Sequence, residues 1–487
     1  MKTKKIVGLF CLSIVWGSLL LTAQTFSAAG AVLTVKPDGT GNYKTVQAAL
    51  EAAKPGDTVT VYAGTYTEDT NIGHFNIPSE KKDNIILQAA AGATVEIVAA
   101  NLKNRANSFS LAGMDIGAVD HAGFLLNGDN VVVEGIRFVQ NSAELSGLNQ
   151  SVAVIVAGSN DVIRNCEIVG PAIDSGGDII GLAISALDVI GLSQGKPSLA
   201  THLIVENCKF TNAVYGFAME DFLHTGQPPE VLLKNCEFFG NGNAVQLNDG
   251  TLNVAGCNFH DNRIGLHTAD DTANISGCVI QNNSQYGIDL DFGESEDNEP
   301  PNTPVVTVDQ CFIADNGTGG DQYGIRMKHG TLTVKNTIIS GSSGANVFFE
   351  TIADRASQAV FDHCDLYESQ GGIAVLTTDS PKSAITFRMT NSIVVDIDGI
   401  LNRAGTVGDF RVDYCDLFVT GTPLEGDFTS KTNILNVNPQ YVDPGNGNFF
   451  LKPTSTLIQA GQGGTYLGAK GTVTSIPDWR VYSFLSR

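Results

Sequence analysis

The chain has 487 residues, with 51 acidic residues against 29 lysines and arginines, and its formal net charge is −22. Because so acidic a surface repels other polyanions, the charge opposes binding to nucleic acids and anionic membranes. It also disfavours polyanionic polysaccharides, unless a local basic patch or bridging cations overcome the repulsion. Length alone suggests about three domains, but an internal repeat through most of the chain points to one.

The first 29 residues have the pattern of a secretory signal peptide. Three lysines precede an apolar run from Ile6 to Leu21, and the small residues "FSAAGA" follow. This order predicts export, with cleavage near Ala29 and a location outside the cell, at its surface or in the periplasm. An uncleaved anchor is the alternative, for which the run is short because a span needs about 20 residues. We expect no membrane span after cleavage.

The segment "GTGNYKTVQAALEAAKPGDTVTVYAGTYTE" at 39–68 divides into a helix, a turn and a strand. Val46, Leu50 and Ala53 fall on one face at helical spacing. Pro55 and Gly56 then end the helix, because proline cannot continue it and glycine suits a turn. The β-branched, alternating run "TVTVYAG" that follows predicts a strand.

A repeated four-residue signature begins at residue 165 and sets the architecture. Its second position runs from Cys166 to Cys415 with a mean period of about 28 residues, which indicates stacked supersecondary units. The ten copies are "NCEI", "NCKF", "NCEF", "GCNF", "GCVI", "QCFI", "NTII", "HCDL", "NSIV" and "YCDL".

Within each unit the pattern is that of strands. In "HLIVENCKF" the apolar alternation changes phase at Asn207, so that Cys208 and Phe210 become the inward pair. Asn or Gly holds this position in seven of the ten units, and both tolerate the left-handed backbone that a tight corner needs. Short strands, Asn or Gly corners and no intervening helices predict a parallel β-helix, with the opening helix as the cap of its first coil.

The corner pattern and the interior stacks resemble those of right-handed parallel β-helix proteins of the pectin-lyase-like group. The resemblance runs from about Val32 to about Phe418 and implies an all-β, single-stranded right-handed parallel β-helix with an N-terminal capping helix. We expect residues 30–420 to form this solenoid in roughly 12–14 coils. Residues 421–487 resemble the closing segment of many such proteins. A monomer is the expected state.

The opening also resembles the start of pectin methylesterases. That family completes its site with two aspartate motifs on successive coils and a later Leu-Gly-Arg-Pro-Trp motif, and this sequence contains no Arg-Pro-Trp. The opening therefore predicts a structural cap and not an esterase.

The eight cysteines outside the signal peptide all occupy the same repeat position. Neighbouring cysteines are 21 or more residues apart, which does not match the close spacing of zinc ligands. Disulfides between adjacent coils are geometrically allowed. Thr337 and Ser392 take the same position in other units, so we expect an interior ladder of free thiols that act as small apolar groups.

An acidic run, "GESEDNEPPN" at 293–302, interrupts one coil. A solvated loop is the simpler interpretation. A calcium site is the alternative, because carboxylate oxygens suit hard cations. Its ligands would be Glu294, Glu296, Asp297 and Glu299.

Aligning the later strand of each unit on its glycine places a mixed set of polar residues on one outer face. Because Ile288 and Leu290 point inward, Asp289 and Asp291 point outward, and the same phase applies to neighbouring coils. We predict catalytic roles for His267, Asp289, Arg326 and Lys328, and substrate binding by Gln246 and Glu220. Asp289 and Asp291 are candidate calcium ligands. An ordinary polar strand face is the alternative interpretation.

Two classes of function remain open. The first class is an exported enzyme that acts on polysaccharide, among which a uronan lyase is favoured. Such a lyase needs a base for the C5 proton and a cation for the developing charge. Arg326 and Lys328 can fill both needs. A hydrolase needs two carboxylates, which Asp289 and Asp291 supply. The other class is a non-catalytic β-helix that binds a polysaccharide or cell-surface glycan.

Overall fold

The structure is a computed structural model of the chain. It describes residues 30–72, 82–99, 121–140, 151–170, 184–190, 201–220, 229–248, 250–269, 271–291, 303–319, 322–351, 356–369, 371–377, 385–396, 398–402 and 408–469. The predicted signal peptide and the acidic run at 293–302 lie outside these residues.

Almost every described element is a short strand, and each complete coil contributes three of them. The first strands are Val32–Val35, Thr58–Val61, Ile86–Ala89, Val132–Glu134, Val162–Arg164, Thr201–Glu206, Glu230–Lys234, Thr251–Ala255, Thr272–Ser276, Val305–Asp309, Gly330–Lys335, Ser357–Asp362, Ile385–Thr390, the start of Asp409–Val419, and Ser430–Leu435.

The second strands follow the corner of each coil. They are Gly64–Thr67, Val95–Val98, Ile136–Val139, Glu167–Val169, Lys209–Thr211, Glu237–Phe239, Asn258–His260, Val279–Gln281, Phe312–Ala314, Ile338–Ser340, Asp365–Tyr367, Ile393–Asp396 and the end of Asp409–Val419.

The third strands form a separate sheet of 13 strands, one from each coil. They are Thr70–Ile72, His121–Leu126, Ser151–Val156, Ile184–Ile190, Tyr215–Glu220, Asn243–Leu247, Ile264–Thr268, Tyr286–Leu290, Tyr323–Met327, Ala345–Thr351, Gly371–Thr377, Ile400–Asn402 and Leu424–Glu425. Every pairing between coils is parallel, as Ile288 beside Ile325 illustrates. The described chain is therefore the predicted solenoid.

The corners between first and second strands adopt the predicted left-handed backbone. All ten have φ between 48° and 64°, including the corners formed by Gln310, His363 and Tyr414. Non-glycine residues are sterically strained in this conformation, and Asn is among those that tolerate it best. The prediction is confirmed, and the stacking of the coils holds even the unfavourable residues in place.

The eight cysteines are buried and free, as predicted. Each thiol sits behind a corner, and Cys208 illustrates its contacts. Its Sγ accepts a hydrogen bond from the Cys166 backbone N–H at 3.4 Å and donates to the carbonyl two residues earlier at 3.4 Å. The hydroxyls of Thr337 and Ser392 make the same two contacts. The position therefore requires a small side chain that both accepts and donates, which is more specific than the predicted small apolar group.

A second interior ladder consists of amides that the sequence analysis did not identify. Its members are Asn241, Asn262, Asn283 and Asn316. The side-chain N–H₂ of each of the first three donates to the side-chain carbonyl oxygen of the next coil's amide at 2.9–3.0 Å, and that of the last donates to the Ile280 backbone carbonyl at 2.9 Å. Such a ladder satisfies buried polar groups that would otherwise be costly.

The helix Val46–Ala52 caps the first coil, as predicted. Val46 and Leu50 are buried against the core. The Glu68 carboxylate accepts hydrogen bonds from two N–H groups at the helix start, at 2.8 and 2.9 Å, and the Lys82 ammonium donates to three carbonyls around its end. Both charges complement the helix dipole.

The parallel sheet continues to Leu435, beyond the boundary at 420 that the sequence suggests. The next residues, 436–469, form what we call the C-terminal strap. It contains the antiparallel strands Tyr441–Asp443 and Asn448–Leu451 and the 3-10 turns Pro444–Asn446, Thr456–Gln459 and Gln462–Gly464. Its apolar side chains pack on Ile338 and Ile393 of the second strands, so the strap lies along the side of the coils.

Within the described residues, no helix has the length and apolar character that a membrane span requires.

Candidate functional site

The outward column predicted on the third strands is present. Parallel pairing places four residues side by side on consecutive coils: Gln246, His267, Asp289 and Arg326. Ile288 and Leu290, which flank Asp289, point into the core and are fully buried. The predicted phase is therefore confirmed, while the roles of these residues stay predictions.

Asp289 is the centre of the arrangement. Its carboxylate contacts the Nδ1 atom of His267 at 3.1 Å on the preceding coil. On the following coil, Arg326 donates from Nε and Nη2 to the two carboxylate oxygens at 2.6 and 2.8 Å. This two-pronged pairing fixes the guanidinium plane as well as its charge.

Asp291 extends the arrangement along the strand. Its Oδ2 atom accepts from Arg326 Nη2 and from Lys328 Nζ, both at 2.9 Å. We call the five residues His267, Asp289, Asp291, Arg326 and Lys328 the charged network. They join three consecutive coils, because a strand spacing of about 4.8 Å lets side chains on neighbouring coils touch.

Burial divides the charged network into an inner and an outer part. The Asp289 side chain is 1% exposed, whereas that of Lys328 is 23% exposed. His267 and Arg326 lie between these values. A ligand in solution can therefore reach the imidazole, the guanidinium and the ammonium, while Asp289 acts only through them.

The buried ion pair also sets the protonation of its members. Burial alone would raise the pKa of the Asp289 carboxyl, but His267 and Arg326 outweigh burial and hold that pKa below its usual value. Burial would lower the pKa of Arg326, but Asp289 outweighs it and raises that pKa. Both groups stay ionised, so of the two roles predicted for Arg326 and Lys328 together, Arg326 suits that of the cation.

A tyrosine that the sequence analysis missed supports Arg326 from the side. The guanidinium carbon lies 4.4 Å from the centre of the Tyr286 ring, and Nη1 is 3.3 Å from the phenol oxygen. Tyr286 stacks on Tyr323, which stacks on Phe348 at 4.2 Å. The recurring "YGI" of "YGIDL" and "YGIRM" is the sequence signal that could have identified this stack.

Of the two predicted substrate-binding residues, the structure describes the side chain of Gln246 but not that of Glu220. Gln246 neighbours His267 in the register, and its amide contacts Asn243 and Asn248 at 2.7 Å each. It therefore continues the polar face by one coil without joining the charged network. Glu220 ends the strand Tyr215–Glu220, and its side chain lies outside the described part.

A resident calcium ion does not fit this geometry well. To bind Asp289 and Asp291, the ion would have to displace Arg326 and Lys328 from both carboxylates. Within the described residues, no group of three or more His, Cys, Asp or Glu is arranged to hold a metal. Calcium binding at Asp289 and Asp291 stays a sequence-based prediction that the ion pairs oppose.

Stacked parallel coils with interior ladders and a polar outer column define the class of parallel β-helix proteins. The family model described as "Right handed beta helix region" matches residues 122–300 and 245–408. The chain therefore belongs to this right-handed β-helix family.

One curated relative is the probable pectinesterase/pectinesterase inhibitor 16 of Arabidopsis thaliana, which is 28% identical over 141 residues. The match covers 28% of this chain and 24% of that protein, so the chain spans about a quarter of the relative's length.

Solved structures with similar folds include two named for polysaccharide chemistry. The A-module of the Azotobacter vinelandii mannuronan C-5 epimerase AlgE4 is 14% identical, with a TM-score of 0.41, over 81% of this chain and 94% of that one. Pectate lyase Pel9A is 13% identical, with a TM-score of 0.36, over 91% and 97%. The Dettilon tailspike protein is 10% identical, with a TM-score of 0.48, over 74% and 69%. At this identity the likeness concerns the fold alone.

Proposed function

We propose that this protein is exported and cleaves uronic-acid polysaccharides by β-elimination at the charged network. The observation that carries the proposal is the buried Asp289, which holds an imidazole on one side and a guanidinium on the other. A base and a cation at fixed separation are the two groups that this reaction requires.

His267 is the base in this proposal. Its Nδ1 is engaged with Asp289, so Nε2 is the nitrogen left to take the C5 proton of a uronate. The electron pair of the C–H bond forms the C4–C5 double bond as the C4–O bond breaks, and the leaving oxygen takes a proton from solvent. Asp289 then stabilises the imidazolium, as a buried carboxylate beside a catalytic histidine does.

Arg326 and Lys328 supply the positive charge. As the C5 proton leaves, negative charge develops on the substrate carboxylate, and a fixed cation stabilises it best when water is scarce. Arg326 is held by Asp289 and by the Tyr286 ring, so little reorganisation is needed. A hydrolase is less well supported, because both carboxylates are in ion pairs and neither is placed to donate a proton.

A second candidate function, glycan binding without cleavage, is favoured by the charge balance. Two carboxylates offset Arg326 and Lys328, so the charged network carries a net positive charge only when His267 is protonated. This balance lowers the attraction for a polyanion. A neutral glycan would then bind as well as an acidic one.

Incubation with a panel of uronans separates these candidates. We expect ultraviolet absorbance to rise as the double bond forms, and the His267→Ala variant to lose this signal while its circular dichroism spectrum remains that of the folded parent. His202→Ala, which changes an exposed histidine elsewhere, is the matched control and should cleave normally. Retardation in glycan-containing gels without any absorbance change would support the binding function instead.

Export rests on the sequence of residues 1–29 alone. The lysines and apolar run supply the signal-peptide pattern. N-terminal sequencing of the protein recovered from the medium or periplasm should find a start near Gly30, and a retained Met1 would contradict cleavage.

A further inference from the structure

A groove with a volume of 630 Å³ lies between the C-terminal strap and the second strands of the last coils. The coils contribute the rings of Tyr367 and Phe418, and the strap contributes Asn438, Gln440 and Lys452. Tyr367 and Phe418 occupy the same outward column, through Val395 between them. The groove therefore lies on a different sheet from the charged network and on later coils.

The one charge among the residues that line the groove is positive, although the Glu368 carboxylate is hydrogen-bonded to the hydroxyl of the lining Tyr367. The lining residues include one lysine and no carboxylate, although the chain has 51 acidic residues. Lys452 is exposed, and within the described residues its ammonium lies in no salt bridge. A carboxylate in the groove would meet a cation that no acid has neutralised.

Two amides present donors beside this lysine. The Asn438 carbonyl oxygen accepts from the Gln440 N–H at 2.8 Å, and the Gln440 carbonyl oxygen accepts from the Thr454 hydroxyl at 2.7 Å. Because each carbonyl is engaged, the N–H₂ groups are the atoms left for a ligand in the described structure. Their natural partners are hydroxyl, ring or carboxylate oxygens.

Of the two rings in the groove, Phe418 is exposed and Tyr367 is held in place by its neighbours. Phe418 is 37% exposed, which is unusual for so large an apolar side chain. Tyr367 packs edge-to-face on Phe449 at 5.2 Å and on Tyr441 at 6.0 Å, and the Tyr441 hydroxyl donates to Asp365 at 2.5 Å. Rings fixed before binding lose little conformational freedom when a ligand packs on them.

We propose that this groove is a second glycan site, which binds a uronate-containing oligosaccharide independently of cleavage. One sugar carboxylate pairs with Lys452, the apolar face of a pyranose ring packs on Phe418, and hydroxyls accept from the amides of Asn438 and Gln440. The site holds the polymer on the flank of the solenoid, on a different sheet from the charged network.

The test is calorimetric titration of the full-length His267→Ala protein with galacturonate and mannuronate trimers, with cellotriose as the neutral control. We expect a uronate trimer to bind and Lys452→Met to weaken it about tenfold or more, the value of one charge-assisted contact. Phe418→Ala should weaken it as well. Lys431→Met, which changes an exposed lysine on the last coil, should bind as the parent does.

Two results would overturn the second site: no binding of either uronate trimer, or equal affinity in the Lys452 and Phe418 variants and the parent. Cleavage by the Lys452→Met variant of the otherwise native protein is measured separately. If the unaltered protein cleaves no uronan, the proposed function alone is contradicted. If Lys452→Met weakens trimer binding but cleavage continues, the groove is a binding site separate from the charged network.

Discussion

At the scale of single residues, Asp289 combines roles that rarely coincide on an outward strand position. It is almost fully buried, yet it is ionised, because His267 and Arg326 contact both of its oxygens. A buried charge is tolerable only when it is paired and hydrogen-bonded in this way. Arg326 in turn needs the Asp289 carboxylate to balance its own charge, so the Asp289–Arg326 ion pair behaves as one unit.

Asp289→Asn is therefore expected to lower the free energy of unfolding by about 3 kcal/mol, because it leaves Arg326 without its main partner. Since the folded pKa of Asp289 lies below its unfolded value, its stabilisation is present above about pH 4 and is lost as pH falls through the folded pKa. Urea unfolding at pH 3 and pH 7 measures this. The variant should lose less stability on acidification than the parent, and an equal loss would contradict the prediction.

Asp416 behaves in the opposite way. It lies under the strap, where its Oδ1 accepts from the Val437 N–H at 2.9 Å and its Oδ2 has no hydrogen-bond partner. Burial raises the pKa of Asp416 to about 7. Burial also raises the pKa of the neighbouring Tyr441 well above its usual value, so this phenol stays neutral.

Between about pH 4 and pH 7 the unfolded chain therefore loses the Asp416 proton while the folded protein keeps it, and the free energy of unfolding falls as pH rises. We expect Asp416→Asn to be more stable than the parent by about 2 kcal/mol at pH 8, with a smaller gain at pH 5. Urea unfolding at both pH values measures the gain. Asp443→Asn, at an exposed strap residue, is the control, and a gain that did not grow with pH would refute the assignment.

At the scale of elements, the capping helix and the strap each cover apolar surface that the coils expose. The helix covers the first coil with Val46, Ala49 and Leu50, and the strap covers Ile338 and Ile393 on the flank. The helix is needed because an end coil otherwise exposes both core and strand edge, whereas the strap buries apolar side chains on the outer flank of the sheet.

Leu50→Asp tests the cap directly. It places an unpaired charge on a surface that is 2% exposed, so we expect a loss of about 3–5 kcal/mol in the free energy of unfolding. Ala52→Asp, at an exposed position of the same helix, is the matched control and should cost far less. Equal losses in both variants, measured by urea unfolding, would mean that helix propensity and not the core contact matters.

At the scale of the whole molecule, the interior ladders connect most coils into one structure. The thiol ladder extends from Cys166 to Cys415, with hydroxyls in two of its places. Because each ladder residue bonds to the adjacent coil, opening one coil disturbs its neighbours. Repeat proteins gain their stability from such nearest-neighbour interfaces.

Thiol titration without reductant follows from this arrangement. The native protein should react slowly, since all eight thiols are buried, and about eight groups should react after denaturation. Mass spectrometry of the alkylated, denatured protein checks the count. A deficit of two thiols for each bridge would reveal disulfides between adjacent coils.

The sequence by itself determined the features that repeat locally. Corner residues, inward alternation, the capping helix and the outward phase of His267, Asp289 and Arg326 all follow from backbone geometry within one coil, and each was predicted correctly. The thiol position was predicted in part, because the spacing identifies a small side chain but not the hydrogen bonds that Thr337 and Ser392 reproduce.

Only the tertiary structure decided which of the outward residues are exposed and what they contact. Alternation places both Asp289 and Asp416 outside the core, yet neighbouring coils enclose the first and the strap covers the second. The stacking of Tyr286 on Arg326 and the groove under the strap arise in the same way. These contacts join residues far apart in the chain, so they depend on how coils and strap pack together and not on any local pattern.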